Sequence, residues 1–207
     1  MMPVKTLIFD LGNVIIDLKD EQHWWEEVFL SMFDRLAVIE LYQDGFFRNY
    51  ESGKMSDDDF LDRLSVFLKE GYAREDIRSG WIELLGDLPR HRLETLEHLR
   101  QSFDILLLSN TNDIHLQYIH QQLEDEYSFN PFDRIFRKQY YSHLLGTSKP
   151  EKEIYRLLIA DSGIAPESSL FMDDKPENLT AAAALGINTL HIPKGSEFSV
   201  LLKNLGL

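Results

Sequence analysis

The 207-residue sequence contains no cysteine, which excludes disulfides, thiolate metal centres and a cysteine nucleophile. It is also short of positive charge. Against 35 Asp and Glu stand only 21 Lys and Arg, a formal charge of −14, which disfavours nucleic acid or an anionic membrane as a partner and leaves room only for a small anion in a locally positive pocket. No apolar run approaches the roughly 20 residues that a membrane span needs. The apolar stretch ending at Ile16 is interrupted by Asp10 and followed by no cleavage-like region, so it does not read as a signal peptide. Internal repeats and low-complexity tracts are lacking, and "AAAALG" is ordinary helix packing. What remains is 43% hydrophobic and 12% aromatic, enough for a packed core and too much for disorder. The expectation is one domain, or one with a sizeable insertion, in a soluble cytoplasmic protein.

The stretch "LIFDLGNVII" sets the first structural expectation. Thr6 to Phe9 reads as a strand buried on both faces, and Gly12 and Asn13 allow a sharp turn just beyond it. Asp10 therefore stands at the carboxyl end of a strand, the edge where open α/β sheets bind ligands. An isolated Asp there is equally well explained as a turn cap. From about Asp20 to Pro89 apolar residues recur at helical spacing among charges, with no convincing strand. In "SDDDFLDRLSVFLKEG" Ser56 is an N-cap, Asp57 to Asp59 fill the first turn, and Phe60, Leu61, Leu64, Phe67 and Leu68 form an apolar stripe that Gly71 ends. "REDIRSGWIELLGDLP" reads as another helix closed by Gly86 and Pro89. Further on, helices over "RHRLETLEHLRQ", Asp113 to Glu126, "EKEIYRLLIADSG", "PENLTAAAALG" and the tail alternate with strands over "FDILLLSN", "DRIFRK", "SLFMDD" and "NTLHI". Such alternation predicts an α/β fold, a doubly wound parallel sheet with helices on both faces and an all-α insertion after the first strand.

Three strand ends carry polar groups at equivalent places: Asp10 after "LIF", Ser109 and Asn110 after "ILLL", Asp173 and Asp174 after "SLFM". A parallel sheet brings all three to one edge, and Lys149 can reach it from a loop. Carboxylates from separate strands suit a hard cation such as Mg²⁺. The ammonium, hydroxyl and amide suit a phosphoryl group, whose charge must be neutralised before an anionic nucleophile approaches.

In this order and spacing, "DLGNV", "LLLSNT", "SKP" and "FMDDKPENLTAAAALGI" resemble the four motifs of the haloacid dehalogenase superfamily, in its phosphatase branch with a helical cap, over nearly the whole chain. The resemblance implies a Rossmann-like core from segments 1–18 and 90–207 and a helical cap from 19–89. It also implies a Mg²⁺-dependent hydrolase acting on a small phosphorylated metabolite. In that family the first Asp attacks phosphorus, which assigns the aspartyl phosphate to Asp10. Gly12 would give its backbone carbonyl to the metal, Ser109 and Asn110 would hold the phosphoryl group, and Lys149 would bridge nucleophile and phosphate. Asp174 would be the direct metal carboxylate, Asp173 would pair with Lys149 or bind through water, and Asn178 would support the metal shell. "FDLGNV" is similar to a subgroup associated with small sugar phosphates, including sugar 1-phosphates.

One departure bears on mechanism: most phosphatases of the superfamily carry a second Asp where this chain has Gly12, to protonate the leaving oxygen and activate water. Asp17 and a water held by Asn13 are candidate substitutes, although Asp17 reads more readily as a surface or cap-hinge residue. Two other readings are a metal-independent 2-haloacid dehalogenase, against which both acids of "FMDDKPEN" count, and a non-catalytic binding protein, against which Asp10, Lys149 and Asp174 count. His115 and His120, five apart, fall off one helical face, so a zinc site is not expected. Trp24, Trp25, Phe46, Phe47, Arg48 and Tyr50 read first as core, with the stretch from Phe46 to Tyr50 the candidate source of specificity.

Overall fold

Thr6–Phe9 forms strand β1, and in the computed structural model, which describes residues 3–207, it is the middle of a five-stranded sheet. Its neighbours are β2 (Asp104–Ser109) and β4 (Ser169–Asp173), while β3 (Lys138–Tyr141) and β5 (Asn188–His191) are the edges. The order is β3-β2-β1-β4-β5 and every pairing is parallel. Side-chain alternation divides the core into two layers. Leu7, Phe9, Ile105, Leu107, Leu170 and Met172 face one way, packing on α6 (Arg90–Leu99), α7 (Asp113–Tyr127) and α12 (Phe198–Asn204). Ile8, Leu106, Leu108 and Phe171 face the other, against α10 (Lys152–Ser162) and α11 (Pro176–Ala183). Each such side chain contributes about 1.5–3 kcal/mol by leaving water, and burial on both faces is why β1, β2 and β4 read as continuous apolar runs. The expected doubly wound α/β fold is therefore what the chain forms.

Between Leu18 and Leu85 the chain is helical and has its own core. α1 (Glu21–His23) runs into a π-helical stretch, Trp24–Phe29, and a tight turn, Leu30–Met32, followed by α2 (Arg35–Gln43), α3 (Phe46–Glu51), α4 (Asp57–Ser65) and α5 (Arg74–Ile82). Trp24, Phe29, Phe33, Phe47, Phe60 and Trp81 are buried together there, with Ile114 of α7 closing the cluster from below. The way in and the way out are tied side by side. Leu18 bridges Leu85 antiparallel, the Asp17 amide donates to Asp87 O at 2.8 Å, and the Lys19 amide to Leu84 O at 2.9 Å. Gly86 permits this approach, since a Cβ on it would lie 2.7 Å from Asp17 O.

Several elements end or begin elsewhere than their patterns imply, and backbone pairing is the common reason. The helix beginning at Ser56 stops at Ser65 rather than near Gly71. Phe67 and Leu68 are instead held by pairing with the turn after Met32, Asp34 N donating to Phe67 O at 2.8 Å and Lys69 N to Met32 O at 2.9 Å. α5 stops at Ile82, because Leu84 and Leu85 are needed in the pairing with residues 17–19. "DRIFRK" is not a strand: Asn130 caps Phe132 N at 3.0 Å and Pro131 opens a short helix, α8 (Pro131–Ile135), so the edge strand forms later, over Lys138–Tyr141. The chain then turns through α9 (Ser142–Leu145). At the first turn it is Asn13, at φ 57°, that takes the left-handed conformation. Gly12 does not, and a Cβ there would meet the flexible tip of Leu18 at 2.9 Å.

Candidate active site

The sheet register fixes which residues meet. Phe9 pairs with Leu107 on one side and Met172 on the other, so the next residue on β1, Asp10, comes level with Leu108 and Asp173. All three strand ends seen in the sequence thus open at one edge. Lys149, in the loop before α10, inserts between them. Its Nζ donates to Leu108 O at 3.0 Å and lies 2.7 Å from both Asp10 Oδ1 and Asp173 Oδ2. An ammonium has three hydrogens, so the lysine is fully used by these partners and reaches a bound phosphoryl group through its charge alone.

The carboxylates are not equivalent. Asp173 is saturated: Oδ1 accepts from Lys175 N (2.8 Å) and Asn178 Nδ2 (2.9 Å), Oδ2 from Lys149 Nζ (2.7 Å) and Asn178 Nδ2 (3.0 Å). Asn178 thus acts on Asp173. Asp174 is held through Oδ2 by Asn13 Nδ2 at 2.8 Å. Asp10 receives Leu11 N on Oδ1 at 2.7 Å, and its Oδ2 has no donor among the described residues. Oxygens of Asp10, Asp173 and Asp174 all lie within 4.8 Å of one another, and among the described residues no other three His, Asp or Glu are so grouped. Burial pushes Asp10 above the ordinary carboxylate range, with Lys149 pulling down and Asp173 pushing further up. Burial raises Asp174 as well, opposed by the Asn13 amide. For Lys149 burial works against the charge, and the two carboxylates outweigh it to push its pKa up. Three acids around one bonded lysine are short of positive charge, and oxygen-only donors are what a hard divalent ion selects.

Two adjoining cavities give access. One, of about 70 Å³, is lined by Asp10, Asn13, Asp174 and Asn178. The other, of about 770 Å³, reaches from Ser109, Asn110 and Lys149 up to Trp24, Trp25, Phe47 and Trp81 of the helical insertion. Gly12, Leu18, Asn110, Lys149 and Lys175 line both. Of the expected phosphate holders, Ser109 is buried at the cavity floor. The Asn110 side chain is engaged elsewhere: Nδ2 donates to Lys149 O at 2.9 Å and Oδ1 accepts from Lys149 N at 2.8 Å. Asn110 therefore positions the lysine loop, with one amide hydrogen and its backbone left for a ligand. Lys175 and Glu51 also line the main cavity and were missed. Lys175 follows directly on "FMDD" and was legible there; nothing in the sequence marks Glu51.

Other residues singled out from the sequence have structural partners. Asp17 pairs with the buried Arg92 at 2.8 Å and lines neither cavity, which places it at the hinge and away from the site. Asn13 uses Nδ2 on Asp174 and Oδ1 on Leu18 N at 3.2 Å. Phe46 is core, Phe47 and Arg48 reach the cavity wall, and buried Tyr50 donates to Asp57 Oδ1 at 2.6 Å. Both Trp24 and Trp25 pack on Phe29 and also line the cavity.

His115 is buried between Trp81 and Asn112. Its Nε2 lies 2.8 Å from Trp81 O, so that nitrogen carries the proton. Burial pushes the imidazole down to about 4, opposed by the Trp81 carbonyl. Unfolded, the ring titrates near 6.5 and the folded ring resists protonation to about 4, so stability is full above pH 6.5 and falls as pH drops toward 4. A depression of that size is worth about 3 kcal/mol. Urea unfolding at pH 7 and pH 4.5 should show that loss, and His115→Gln should flatten it.

Comparison with known proteins agrees with this arrangement. A family model for haloacid dehalogenase-like hydrolases matches residues 4–186. The chain is 29% identical over 198 residues, 94% of its length and 95% of the relative's, to a D-ribitol-5-phosphate phosphatase of Bacteroides thetaiotaomicron. It is 26% identical to a sesquiterpene phosphatase of Aspergillus oryzae, over 91% of this chain and 89% of that one. Among solved structures, a haloacid dehalogenase family enzyme from B. thetaiotaomicron in complex with magnesium and inorganic phosphate superposes with a TM-score of 0.83 at 31% identity, covering 96% of this chain and 98% of that one.

Proposed function

The chain belongs to the haloacid dehalogenase-like hydrolases, and on that premise we propose that it is a Mg²⁺-dependent phosphatase of a small phosphorylated metabolite, a sugar or polyol phosphate, working through an aspartyl phosphate on Asp10. The observation that carries the proposal is the pairing of Asp10, on the wall of the smaller cavity, with Lys149, which lines both cavities, while Oδ2 of Asp10 stays free of donors among the described residues. That oxygen is the one open to phosphorus. Lys149 lowers the cost of bringing an anionic carboxylate to an anionic phosphoryl group. Ser109 Oγ and the Asn110 backbone N–H are the donors for the transferring group, and Asp173, fixed by Asn178 and Lys175 N, holds the lysine in place. Asp10, Asp174 and the Gly12 carbonyl are the residues to hold Mg²⁺, which when bound neutralises phosphoryl charge and keeps Asp10 ionised. Segment 19–89 serves as a cap over a core of 1–18 and 90–207, and its hinge at residues 17–19 and 84–87 lets it exclude water during transfer. The cavity volume suits a metabolite-sized ligand, and the ribitol-phosphate phosphatase relative supports the substrate class. Among the described residues no helix is long and apolar enough to cross a membrane.

The test is phosphate release from a panel of sugar, polyol and prenyl phosphates with and without chelator. EDTA is expected to lower release about 10²-fold or more, with Mg²⁺ restoring it. Release indifferent to EDTA removes the cation from the mechanism, and no release from any member removes the function.

A further inference from the structure

Gly12 leaves the β1 loop with no group to protonate the leaving oxygen, and the neighbours that might replace it are occupied: Asn13 by Asp174 and Leu18 N, Asp17 by Arg92. The acids remaining on the wall of the main cavity are Glu21 and Glu51. Glu21 is exposed at the start of α1, whereas Glu51 is half-buried at the end of α3, and its carboxylate has no hydrogen-bond or ion-pair partner among the described residues. Its backbone is anchored to the loops that carry the site. Ser142 Oγ donates to Glu51 O at 2.5 Å and accepts from Thr111 N, next to Asn110, at 3.0 Å. Ser52 Oγ donates to Oγ of Ser148, the residue before Lys149, at 3.5 Å. Gly53, at φ 68°, presses so closely on α9 that a Cβ would lie 1.8 Å from His143 O. Of the two acids on this wall, Glu51 is thus the one whose backbone is tied to the segments at the phosphate end of the cavity.

We propose that Glu51 is the general acid and base of this enzyme, supplied by the cap in place of the second aspartate missing at Gly12. As Asp10 Oδ2 forms its bond to phosphorus and the ester P–O bond breaks, Glu51 gives its proton to the departing alkoxide oxygen. The carboxylate left behind then takes a proton from the water that attacks the aspartyl phosphate, which returns Asp10 as carboxylate, releases inorganic phosphate and reprotonates Glu51. Burial pushes the Glu51 carboxyl above the ordinary glutamate range, opposed by Lys175 and assisted by Glu21, the direction a proton donor near neutral pH requires. The other titratable groups on the cavity wall are Tyr42, Arg48, His115 and Lys149.

The proposal rests on Asp10 as nucleophile, and leaving-group dependence tests it separately. For Glu51→Gln, kcat/KM on an alkyl ester such as ribitol 5-phosphate should fall about 10²-fold or more, and on p-nitrophenyl phosphate, whose leaving group needs no proton, less than 10-fold. The basic limb of the alkyl-ester pH profile should vanish with it. Glu51→Asp should keep that limb at reduced rate. Equal losses on both esters, or a change confined to KM for ribitol 5-phosphate, would overturn the proposal and leave Glu51 as a substrate-binding group. A melting temperature near that of the native protein establishes folding of the variants. Should Glu51→Gln not fold, the native enzyme decides: a shallow dependence of kcat/KM on leaving-group pKa supports the donor, and activity confined to aryl esters overturns it. Absence of turnover on every ester, or turnover surviving Asp10→Asn, is failure of the phosphatase reading instead.

Discussion

Asp10→Asn is expected to lower phosphate release at least about 10⁴-fold while the protein folds as before. The activity loss follows from chemistry: an amide oxygen does not displace an alcohol from phosphorus, and no neighbour is placed to take over, since Asp173 is fully hydrogen-bonded and Asp174 is tied to Asn13. The structural argument runs the other way. The amide has the shape of the carboxylate, can still accept from Leu11 N, and leaves Lys149 paired with Asp173. It also removes the repulsion from Asp173 that, with burial, raises Asp10. Phosphate release and a thermal melt on the same preparation check both halves. Turnover equal to the native enzyme would eliminate Asp10 as nucleophile. A variant both inactive and markedly less stable would show instead that Asp10 matters chiefly to the fold.

The core and the strand-end constellation were readable because both depend on short-range rules. Burial on both faces of the sheet makes "LIF", "ILLL" and "LFM" apolar throughout, and parallel pairing then brings Asp10, Ser109 and Asp173 to one edge whatever the intervening chain does. What could not be read depends on backbone partners distant in sequence. Phe67 and Leu68 continue a helical apolar stripe, yet the chain after Met32 claims their backbone; Leu85 is drawn off α5 by Leu18 in the same way. Around Ile135 the apolar pattern fits a short strand or a short helix equally, and the cap at Asn130 with Pro131 decides for helix. At the site, the types of Lys149, Asp173 and Asp174 indicated a cation and a phosphoryl group, whereas the division of labour among them rests on hydrogen-bond saturation. Asn110 illustrates the limit: an amide beside a serine at a strand end looks like a phosphate ligand, and its side chain clamps the backbone of Lys149. Glu51 was invisible for a further reason: a helical insertion does not state in its own sequence which of its faces the core will meet.

Lys149→Met is the other substitution with a large expected effect, and it separates the stabilising role of the lysine from its catalytic one. The ammonium is almost wholly buried, with 1% of the side chain exposed, and bonds to Leu108 O, Asp10 and Asp173. Methionine fills the same space with no charge, so two buried carboxylates, with oxygens less than 4.8 Å apart, face one another unpaired. Removing one partner of a buried ion pair typically costs about 3–5 kcal/mol, and in a chain of this size about 10 °C in melting temperature. Protonation of one carboxylate offsets part of this, so the loss should be smaller at pH 5 than at pH 8: the acids left without Lys149 bind protons in the folded state that the unfolded chain has released. Activity should fall about 10³-fold or more even where the fold survives, because the charge facing the phosphoryl group is gone. Added Mg²⁺ should raise the melting temperature of the variant more than that of the native protein, since a cation at Asp10 and Asp174 then supplies neutralisation that the lysine no longer provides. Equal shifts in the two proteins would mean that the ion does not share carboxylates with Lys149. Arginine is not a substitute, because its planar fork cannot make three bonds that diverge from one nitrogen to a carbonyl and two carboxylates; Lys149→Arg should therefore behave as a loss of function.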